Sequence, residues 1–313
     1  MAEPADVVAI GDALIDELRA SDGVTRFVGG AGLNVAVGLS RLGLRVSLIA
    51  TLGDDDDGRM IRDYLESYGV QLLATTNALG TTVAVSDRTD GEPRYAFSAA
   101  AQTRRIDFDA VQLDAISAAR YVAVTCFPFD DAQQSAALAA AVSRPESRLV
   151  LDPNPRSGML RDSSAFVASF ERLARHSLLT KIGSEDAELL YGNALQTVAA
   201  DLLRRGTLAV VATAGADGAE VMTGSGLRVG APVAQVPGPI VDTMGAGDSV
   251  LASLVASIAR HGFPEGVGAW SAALAAAMEI AALTCRQPGA LLQLPGEAGV
   301  EHPRIVTASP ARS

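Results

Sequence analysis

A carboxylate follows a glycine turn in the stretch Val-Asp-Thr-Met-Gly-Ala-Gly-Asp, which ends at Asp248. Small and apolar residues at helical spacing come next, so the pattern predicts a tight turn that leads into a buried helix. The N–H groups at such a helix start form an anion site, which Gly245 and Gly247 allow a ligand to approach closely. A bound anion would repel Asp248, unless Asp248 is the general base for a hydroxyl that attacks a phosphoryl group.

The same residues also have a purely structural interpretation. Asp is a common helix cap and glycine a common turn residue, so Asp248, Gly245 and Gly247 could act in folding alone. Two other phosphate motifs are excluded, because no third glycine completes a dinucleotide fingerprint here and no Gly-Lys-Ser/Thr of a P-loop occurs in the chain.

The longer stretch Asp-Thr-x-Gly-Ala-Gly-Asp, which begins at Asp242, resembles the C-terminal signature of the ribokinase (PfkB) family of sugar kinases. This resemblance implies that Asp248 is the catalytic base. It also implies an anion hole for the transferring phosphoryl group and a monovalent cation, K⁺, beside the turn. The anion hole is assigned to Gly245, Ala246 and Gly247, and the cation to Asp242 and Thr243.

A second glycine-rich stretch, Gly-Gly-Ala-Gly-Leu-Asn, begins at Gly29 and precedes apolar residues at helical spacing. It predicts a helix whose N-terminus is approached closely by another group, although glycine turns before helices are frequent. The stretch resembles the N-terminal signature of the same family, and the two signatures stand in the family's order. By this resemblance Gly29, Gly30 and Asn34 contact sugar hydroxyls.

Short apolar runs separated by helix-length segments predict the main sheet. Their alternation with helices is typical of an α/β fold with a doubly wound, mostly parallel sheet. The runs are residues 7–10, 45–50, 121–125, 149–152, 177–181 and 208–213. The resemblance adds a ribokinase-like three-layer arrangement with a small β-sheet lid.

The first apolar run ends in Gly11 and Asp12. Ligands of open α/β sheets gather at the carboxyl ends of strands, so Asp12 and Asp16 are expected at a cleft, where carboxylates accept hydrogen bonds from polyol hydroxyls. Either could instead be a turn residue.

Residues 81–101 alternate apolar and polar side chains around a turn at Asp90 to Pro93, which predicts a hairpin. Together with residues 13–28 it would form the lid. Tyr95 and Phe97 share one face of the hairpin, where Phe97 either stacks on substrate or packs within the lid or against a partner in a homodimer formed through the lid.

The segment Asp-Pro-Asn-Pro-Arg, residues 152–156, follows a predicted strand, and its two prolines fix the backbone. It resembles the family's Asp-x-Asn-x-Arg segment, which implies that Asn154 and Arg156 line the cleft beside sugar and phosphate. A rigid turn with a solvent-exposed Arg156 is the alternative.

Many family members carry an Asn-x-x-Glu motif that organises Mg²⁺, and here Gly183 and Asp186 occupy its two places. Asp186 or Glu185 could still bind a hydrated Mg²⁺, because this ion keeps several waters and needs few carboxylates.

Two further segments resemble those that hold ATP in the family. One is a glycine turn after a strand, and the other is a wall of small residues against which adenine lies in the family, although a plain packed helix would explain these alanines equally well. The residues assigned to the nucleotide are Lys181, Thr213, Gly215, Gly218, Gly245, Gly247, Ala282 and Cys285.

The chain has 313 residues, 49% hydrophobic content and a net charge of −11. This composition predicts a substantial core and argues against a nucleic-acid or anionic-membrane partner. Two distant cysteines make no disulfide framework. The acidic N-terminus is unlike a signal peptide, and the alanine-rich run from Trp270 to Cys285 carries Glu279 and falls short of a membrane span, so a cytoplasmic location is expected.

The resemblance covers roughly Val7 to Ala290 and implies one kinase domain, residues 1–302, with a loose tail at 303–313. The expected reaction transfers the γ-phosphoryl group of ATP to a sugar hydroxyl, with fructose as first choice. Ribokinase, 2-keto-3-deoxygluconate kinase and nucleoside kinase are the alternatives. A protein of another class, a non-catalytic sugar or nucleotide sensor, would not need Asp248.

Overall fold

The computed structural model describes residues 4–20, 23–87, 94–143, 148–297 and 299–308. The strands are β1 (Val7–Ile10), β2 (Leu14–Ala20), β3 (Gly23–Gly29), β4 (Val46–Leu52), β5 (Gln71–Thr76), β6 (Val83–Asp87), β7 (Arg94–Phe97), β8 (Tyr121–Thr125), β9 (Leu149–Asp152), β10 (Leu179–Gly183), β11 (Ala209–Thr213), β12 (Ala219–Thr223), β13 (Arg228–Ala231) and β14 (Arg304–Ala308). The helices are α1 (Ala31–Arg41), α2 (Asp56–Ser67), α3 (Ala110–Ala118), α4 (Ala132–Ala141), α5 (Ser163–Ala174), α6 (Ser184–Tyr191), α7 (Leu195–Arg205), α8 (Ala246–His261) and α9 (Gly266–Thr284), with short 3₁₀ turns at Ala99–Gln102 and Gly215–Asp217.

The large sheet has the strand order β13-β12-β11-β10-β9-β8-β1-β4-β5. All pairings from β5 to β11 are parallel, and only β12 and β13 at one edge run antiparallel. The predicted mostly parallel sheet is therefore confirmed.

Helices cover both faces of this sheet. Along β1, Val7 and Ala9 join one core with residues of α1, α2, α8 and α9, whereas Val8 and Ile10 join a second core with residues of α3 to α7. Strands buried on both faces need apolar side chains at consecutive positions, which explains the short continuous runs in the sequence. This layering is the doubly wound arrangement that the sequence predicts.

Strand β1 lies between β4 and β8, so the strand order reverses there. In open α/β sheets this reversal leaves a crevice at the carboxyl ends of the strands. Asp12 follows the end of β1 by two residues, as Asn154 follows the end of β9. The topology therefore brings distant parts of the chain to one cleft.

A second, smaller sheet has the order β14-β3-β2-β6-β7. Strands β2, β3, β6 and β7 fall within the segments that the sequence predicts for a lid, and β6 and β7 pair antiparallel as a hairpin. The predicted turn at Asp90 to Pro93 lies outside the described residues.

The expectation of a loose tail from residue 303 is wrong for its first part. Arg304–Ala308 forms β14, which pairs antiparallel with β3 from Arg304 opposite Phe27 to Ala308 opposite Gly23. The run Arg-Ile-Val-Thr-Ala is rich in β-branched residues, and β3 would otherwise leave its backbone groups unpaired at this edge.

Helix α9 is long and apolar enough, by length and composition alone, to cross a membrane, contrary to the expectation for this segment. In the structure its buried face, which includes Trp270, Leu274 and Ala277, belongs to the core shared with α8. Glu279 stands on the exposed face. The helix therefore packs as a core helix does.

Candidate functional site

Helix α8 begins at the predicted glycine turn. Gly245 is the residue before the first turn and has φ of 73°, a left-handed conformation that glycine adopts without strain. A Cβ on Gly245 would also lie 2.7 Å from the Cβ of Ala290. The turn therefore requires glycine here for two reasons: the positive φ of the backbone and the lack of space for a Cβ beside Ala290.

Asp248 lies in the first turn of α8 and is 6% exposed. Its Oδ2 accepts a hydrogen bond from Asn34 Nδ2 at 2.8 Å, and its Oδ1 accepts a longer one from Asn154 Nδ2 at 3.4 Å. Burial raises the pKa of Asp248 to about 6, although the hydrogen bond from Asn34 lowers it. At pH 7 the carboxylate is mostly ionised, so it can accept a proton.

The backbone amides of the turn are not equivalent. Met244 N donates to Asp242 Oδ1 at 3.0 Å, and Ala246 N donates to the Thr243 carbonyl at 3.3 Å. Gly245 and Gly247 line the cleft, whereas Ala246 does not. Of the three residues predicted for the anion hole, the two glycines are thus the ones that face the cleft.

A buried ion pair lies beside this turn. Lys181 on β10 donates to both oxygens of Asp152 on β9 at 2.9 Å, and these residues are 4% and 0% exposed. Burial lowers the pKa of Lys181, but the charges of Asp152, Asp186 and Asp248, together with the hydrogen bond to Asp152, outweigh burial and raise the pKa. A Cβ on Gly247 would lie 3.5 Å from Lys181 Nζ. An ammonium group paired with a buried carboxylate therefore stands beside the N-terminus of α8.

Two further carboxylates, those of Asp12 and Asp16, line the same cleft. Asp12 Oδ1 accepts a hydrogen bond from Gly32 N at 3.1 Å, which leaves the rest of the carboxylate for another donor. Burial and the nearby Asp12 raise the pKa of Asp16 to about 7. A Cβ on Gly29 would lie 2.1 Å from Asp16 Oδ2, and one on Gly30 would lie 2.8 Å from the Asp12 carbonyl. The lack of a Cβ at Gly29 therefore leaves space for the Asp16 carboxylate, and the lack of one at Gly30 leaves space for the backbone of Asp12.

The wall of the cleft comes from the segment after β9 and from the lid. Asn154 has a positive φ of 37°, which is uncommon outside glycine and turns its side chain toward Asp248. Arg156 is exposed and lines the cleft. Phe97 packs across to the main body, because a Cβ on Gly158 would lie 2.5 Å from its ring. The ring therefore both lines the cleft and joins the lid to the body.

Sequence reasoning missed Ser86 on β6. The residue lines the cleft and is 7% exposed, and its Oγ has no hydrogen-bond partner in the described part of the chain. An unpaired buried hydroxyl costs roughly 1–3 kcal/mol. Alternate residues of a strand share one face of the sheet, so Ser86 lies on the same face of β6 as Ala84. This alternation was the only signal in the sequence that its side chain faces the cleft.

The predicted metal ligands separate into two groups. Glu185 is exposed and lines the cleft, whereas Asp186 is buried and its Oδ2 accepts the Gly183 amide at 2.7 Å, which caps α6. Among the described residues no cluster of three His, Cys, Asp or Glu side chains could hold a metal ion. Because Mg²⁺ is commonly held by one or two carboxylates together with substrate phosphates, Glu185 fits this use better than Asp186.

The residues predicted for a monovalent cation line the same cleft. Asp242 uses both carboxylate oxygens, one for Met244 N and the other for Gly289 N at 3.0 Å. This carboxylate therefore joins the turn before α8 to the loop after α9, and Thr243 stands exposed beside it.

The remaining nucleotide candidates lie outside this cleft. Thr213 ends β11 and stands beside Gly183, and Gly215 and Gly218 form the turn into β12 with positive φ. Ala282 is buried in α9. Cys285 ends that helix, where its carbonyl accepts the Val241 amide at 2.8 Å. These assignments stay predictions.

One cleft thus brings together most of the predicted site residues. They are Asp12, Asp16, Gly30, Asn34, Phe97, Asn154, Arg156, Lys181, Glu185, Asp242, Thr243, Gly245, Gly247 and Asp248. The lining combines carboxylates that suit hydroxyl groups, amides and a lysine that suit an anion, and a candidate base in the first turn of α8.

Comparison with known proteins shows the family to which the chain belongs. The model of the pfkB family carbohydrate kinases matches residues 4–296. A fructokinase from Rhizobium leguminosarum bv. trifolii is 31% identical, over 80% of this chain and 79% of its own length. Two solved structures share the ribokinase-like fold: a fructokinase with bound ATP from Xylella fastidiosa (TM-score 0.76, 21% identity, 91% and 93% covered) and a putative ribokinase II with ATP and Mg²⁺ from E. coli (TM-score 0.74, 19% identity, 93% and 95% covered). The chain belongs to the pfkB family of carbohydrate kinases.

Proposed function

We propose that this carbohydrate kinase transfers the γ-phosphoryl group of ATP to a hydroxyl of fructose. The observation that carries the proposal is Asp248, a buried carboxylate in the first turn of α8 that lines the same cleft as Asp12, Asp16 and the glycines of the turn. A sensor would need the binding residues of this cleft without a base among them.

In the proposed reaction, Asp12 and Asp16 accept hydrogen bonds from the sugar and orient one hydroxyl toward Asp248. Asp248 takes the proton of that hydroxyl as its oxygen attacks the γ-phosphorus, and the bond to the β-phosphate oxygen breaks to leave ADP. The amides of Gly245 and Gly247, together with Lys181, stabilise the negative charge on the transferring group. The unpaired hydroxyl of Ser86 offers the sugar one more hydrogen bond from the lid.

Mg²⁺ fits this site through Glu185 and would neutralise phosphate charge when bound. ATP and Mg²⁺ are also named in the related structures. Asp242 and Thr243 are the residues assigned to K⁺, and rates compared in potassium and in a large organic cation test that assignment.

Fructose is the first choice because a relative that is 31% identical is a fructokinase and because the carboxylates of the cleft suit a polyol. We also propose a homodimer formed through the small sheet, and a cytoplasmic location for the enzyme. Light scattering of the purified protein measures the dimer directly.

The test is a coupled ADP-release assay with MgATP against fructose, ribose, 2-keto-3-deoxygluconate, tagatose 6-phosphate and adenosine. Fructose should give the highest kcat/KM, and Asp248→Asn should lower kcat by about 10²–10⁴-fold with little change in ATP binding. Asp114→Asn, on the exposed face of α3, is the matched control and should leave kcat unchanged. Unchanged turnover in Asp248→Asn would refute the role of the base, and a different best acceptor would replace fructose.

A further inference from the structure

Residues 289 and 290, in the loop between α9 and β14, are held by two side chains, one from the catalytic turn and one from the end of the same loop. Asp242, in the turn, accepts the Gly289 amide, and His302 Nδ1 accepts the next amide, that of Ala290, at 3.1 Å. Ala290 in turn packs on Gly245 at the start of α8. Successive amides are thus fixed directly beneath the proposed anion hole.

His302 is itself fixed by aromatic contacts. It is 3% exposed, its ring stacks on Tyr64 of α2 with centroids 5.5 Å apart, and it contacts Phe27 of β3 at 5.4 Å. Gly289 fits between these rings, because a Cβ there would lie 2.5 Å from His302 Nδ1 and 3.1 Å from the Phe27 ring. Burial lowers the pKa of His302 to about 4, so at pH 7 the imidazole is neutral and Nδ1 can accept a hydrogen bond from the Ala290 amide.

We propose that His302 is a positioning residue for the phosphoryl-binding turn. It fixes the loop segment that supports Gly245. His302 lies two residues before β14, the strand that pairs with β3 at the edge of the small sheet. The lid and the anion hole are thereby connected through one imidazole. His302 has no contact with the reacting atoms in this scheme and acts through Ala290 and Gly245.

Two variants separate the hydrogen bond from the packing. His302→Phe keeps a ring for Tyr64 and Phe27 but removes the acceptor, whereas His302→Asn keeps an acceptor and removes the ring. Hydrogen exchange of the segment 286–290, measured by mass spectrometry, reports on the loop whatever the acceptor sugar is. The segment 179–183 in β10 is the internal control, and Tyr64→Phe is the control variant, since it preserves the stack.

We expect His302→Phe to speed exchange in 286–290 by about tenfold or more and to lower kcat by about tenfold, because small misplacements of a catalytic turn are costly. In His302→Asn, the exchange rate of 286–290 and kcat should both lie closer to the wild-type values than in His302→Phe, even if the melting temperature of His302→Asn falls. The kcat measurement rests on the proposed kinase activity, whereas the hydrogen-exchange measurement does not depend on it. Wild-type exchange and kcat in His302→Phe would overturn the proposal, as would losses in both variants that simply follow their melting temperatures.

Discussion

At the scale of single residues, the site depends on how the environment of one carboxylate sets its proton affinity. Burial raises the pKa of Asp248 and the amide of Asn34 lowers it, with a result of about 6. A base with this pKa is ionised at neutral pH and retains more proton affinity than an exposed aspartate. The neighbours of Asp248 therefore tune its activity as well as hold its position.

The pH dependence of turnover follows from this balance. At saturating MgATP and fructose, kcat should fall as pH drops through about 6, since protonation removes the base. Asn34→Leu removes a hydrogen bond to the ionised form, so the pKa of Asp248 rises and the acid limb moves to higher pH. A kcat profile from pH 5 to 8 measures the shift, and an acid limb that stays in place or moves lower would contradict it.

The sequence identified Asp248, Asn34, Asn154 and Arg156 because their motifs are local. It did not identify the ion pair of Lys181 with Asp152, because that contact depends on β9 and β10 being neighbours. Ser86 was missed for a similar reason, since an unpaired hydroxyl is visible only once its surroundings are known.

At the scale of elements, helix α6 gives its two first-turn carboxylates different tasks. Asp186 accepts the Gly183 amide and is buried, whereas Glu185 points to the cleft. Burial raises the pKa of Asp186, against the charge of Lys181, which lowers it. One residue stabilises the helix start and its neighbour remains for a ligand.

The two carboxylates of α6 are separable by substitution. Glu185→Gln should raise the Mg²⁺ concentration for half-maximal activity by about tenfold, with an unchanged melting temperature. Asp186→Ala should lower stability by about 0.5–2 kcal/mol, the usual cost of a lost cap, with a smaller effect on Mg²⁺. Thermal denaturation and Mg²⁺ titrations distinguish them, and equal effects on Mg²⁺ would contradict the division.

The sequence predicted the parallel strands of the large sheet except β5, because double burial requires continuous apolar runs and the edge strand β5 is only partly buried. Strand β14 was not predicted, since a short edge strand takes its structure from the backbone groups of β3. The antiparallel strands β12 and β13 also passed unrecognised, because Glu220 interrupts the apolar run of β12 and the edge strand β13 has exposed residues on both sides of Val229.

At the scale of the whole molecule, the cleft costs stability because it gathers acidic groups out of water. Burial, increased by the charge of Asp12, raises the pKa of Asp16 to about 7. A carboxyl whose pKa is higher in the folded state stabilises the protein below its unfolded pKa, near 4, and this stabilisation is lost as pH rises through about 7.

Asp16→Asn removes that titration. Its free energy of unfolding relative to the wild type should increase by about 1–3 kcal/mol between pH 5 and pH 8, since one pKa unit corresponds to about 1.4 kcal/mol. Urea unfolding at both pH values measures the difference, with Asp114→Asn as the control. A difference that does not grow with pH would contradict the raised pKa.

The pairing of β3 with β14 joins the beginning of the described chain to its end. Such a contact closes a loop of nearly the full chain length, so its formation is slow compared with the hairpins of the same sheet. We expect this edge to be the last part of the small sheet to assemble and the first to open in native fluctuations. The enzyme therefore gains its completed lid only after the main body has folded, as a late step of maturation.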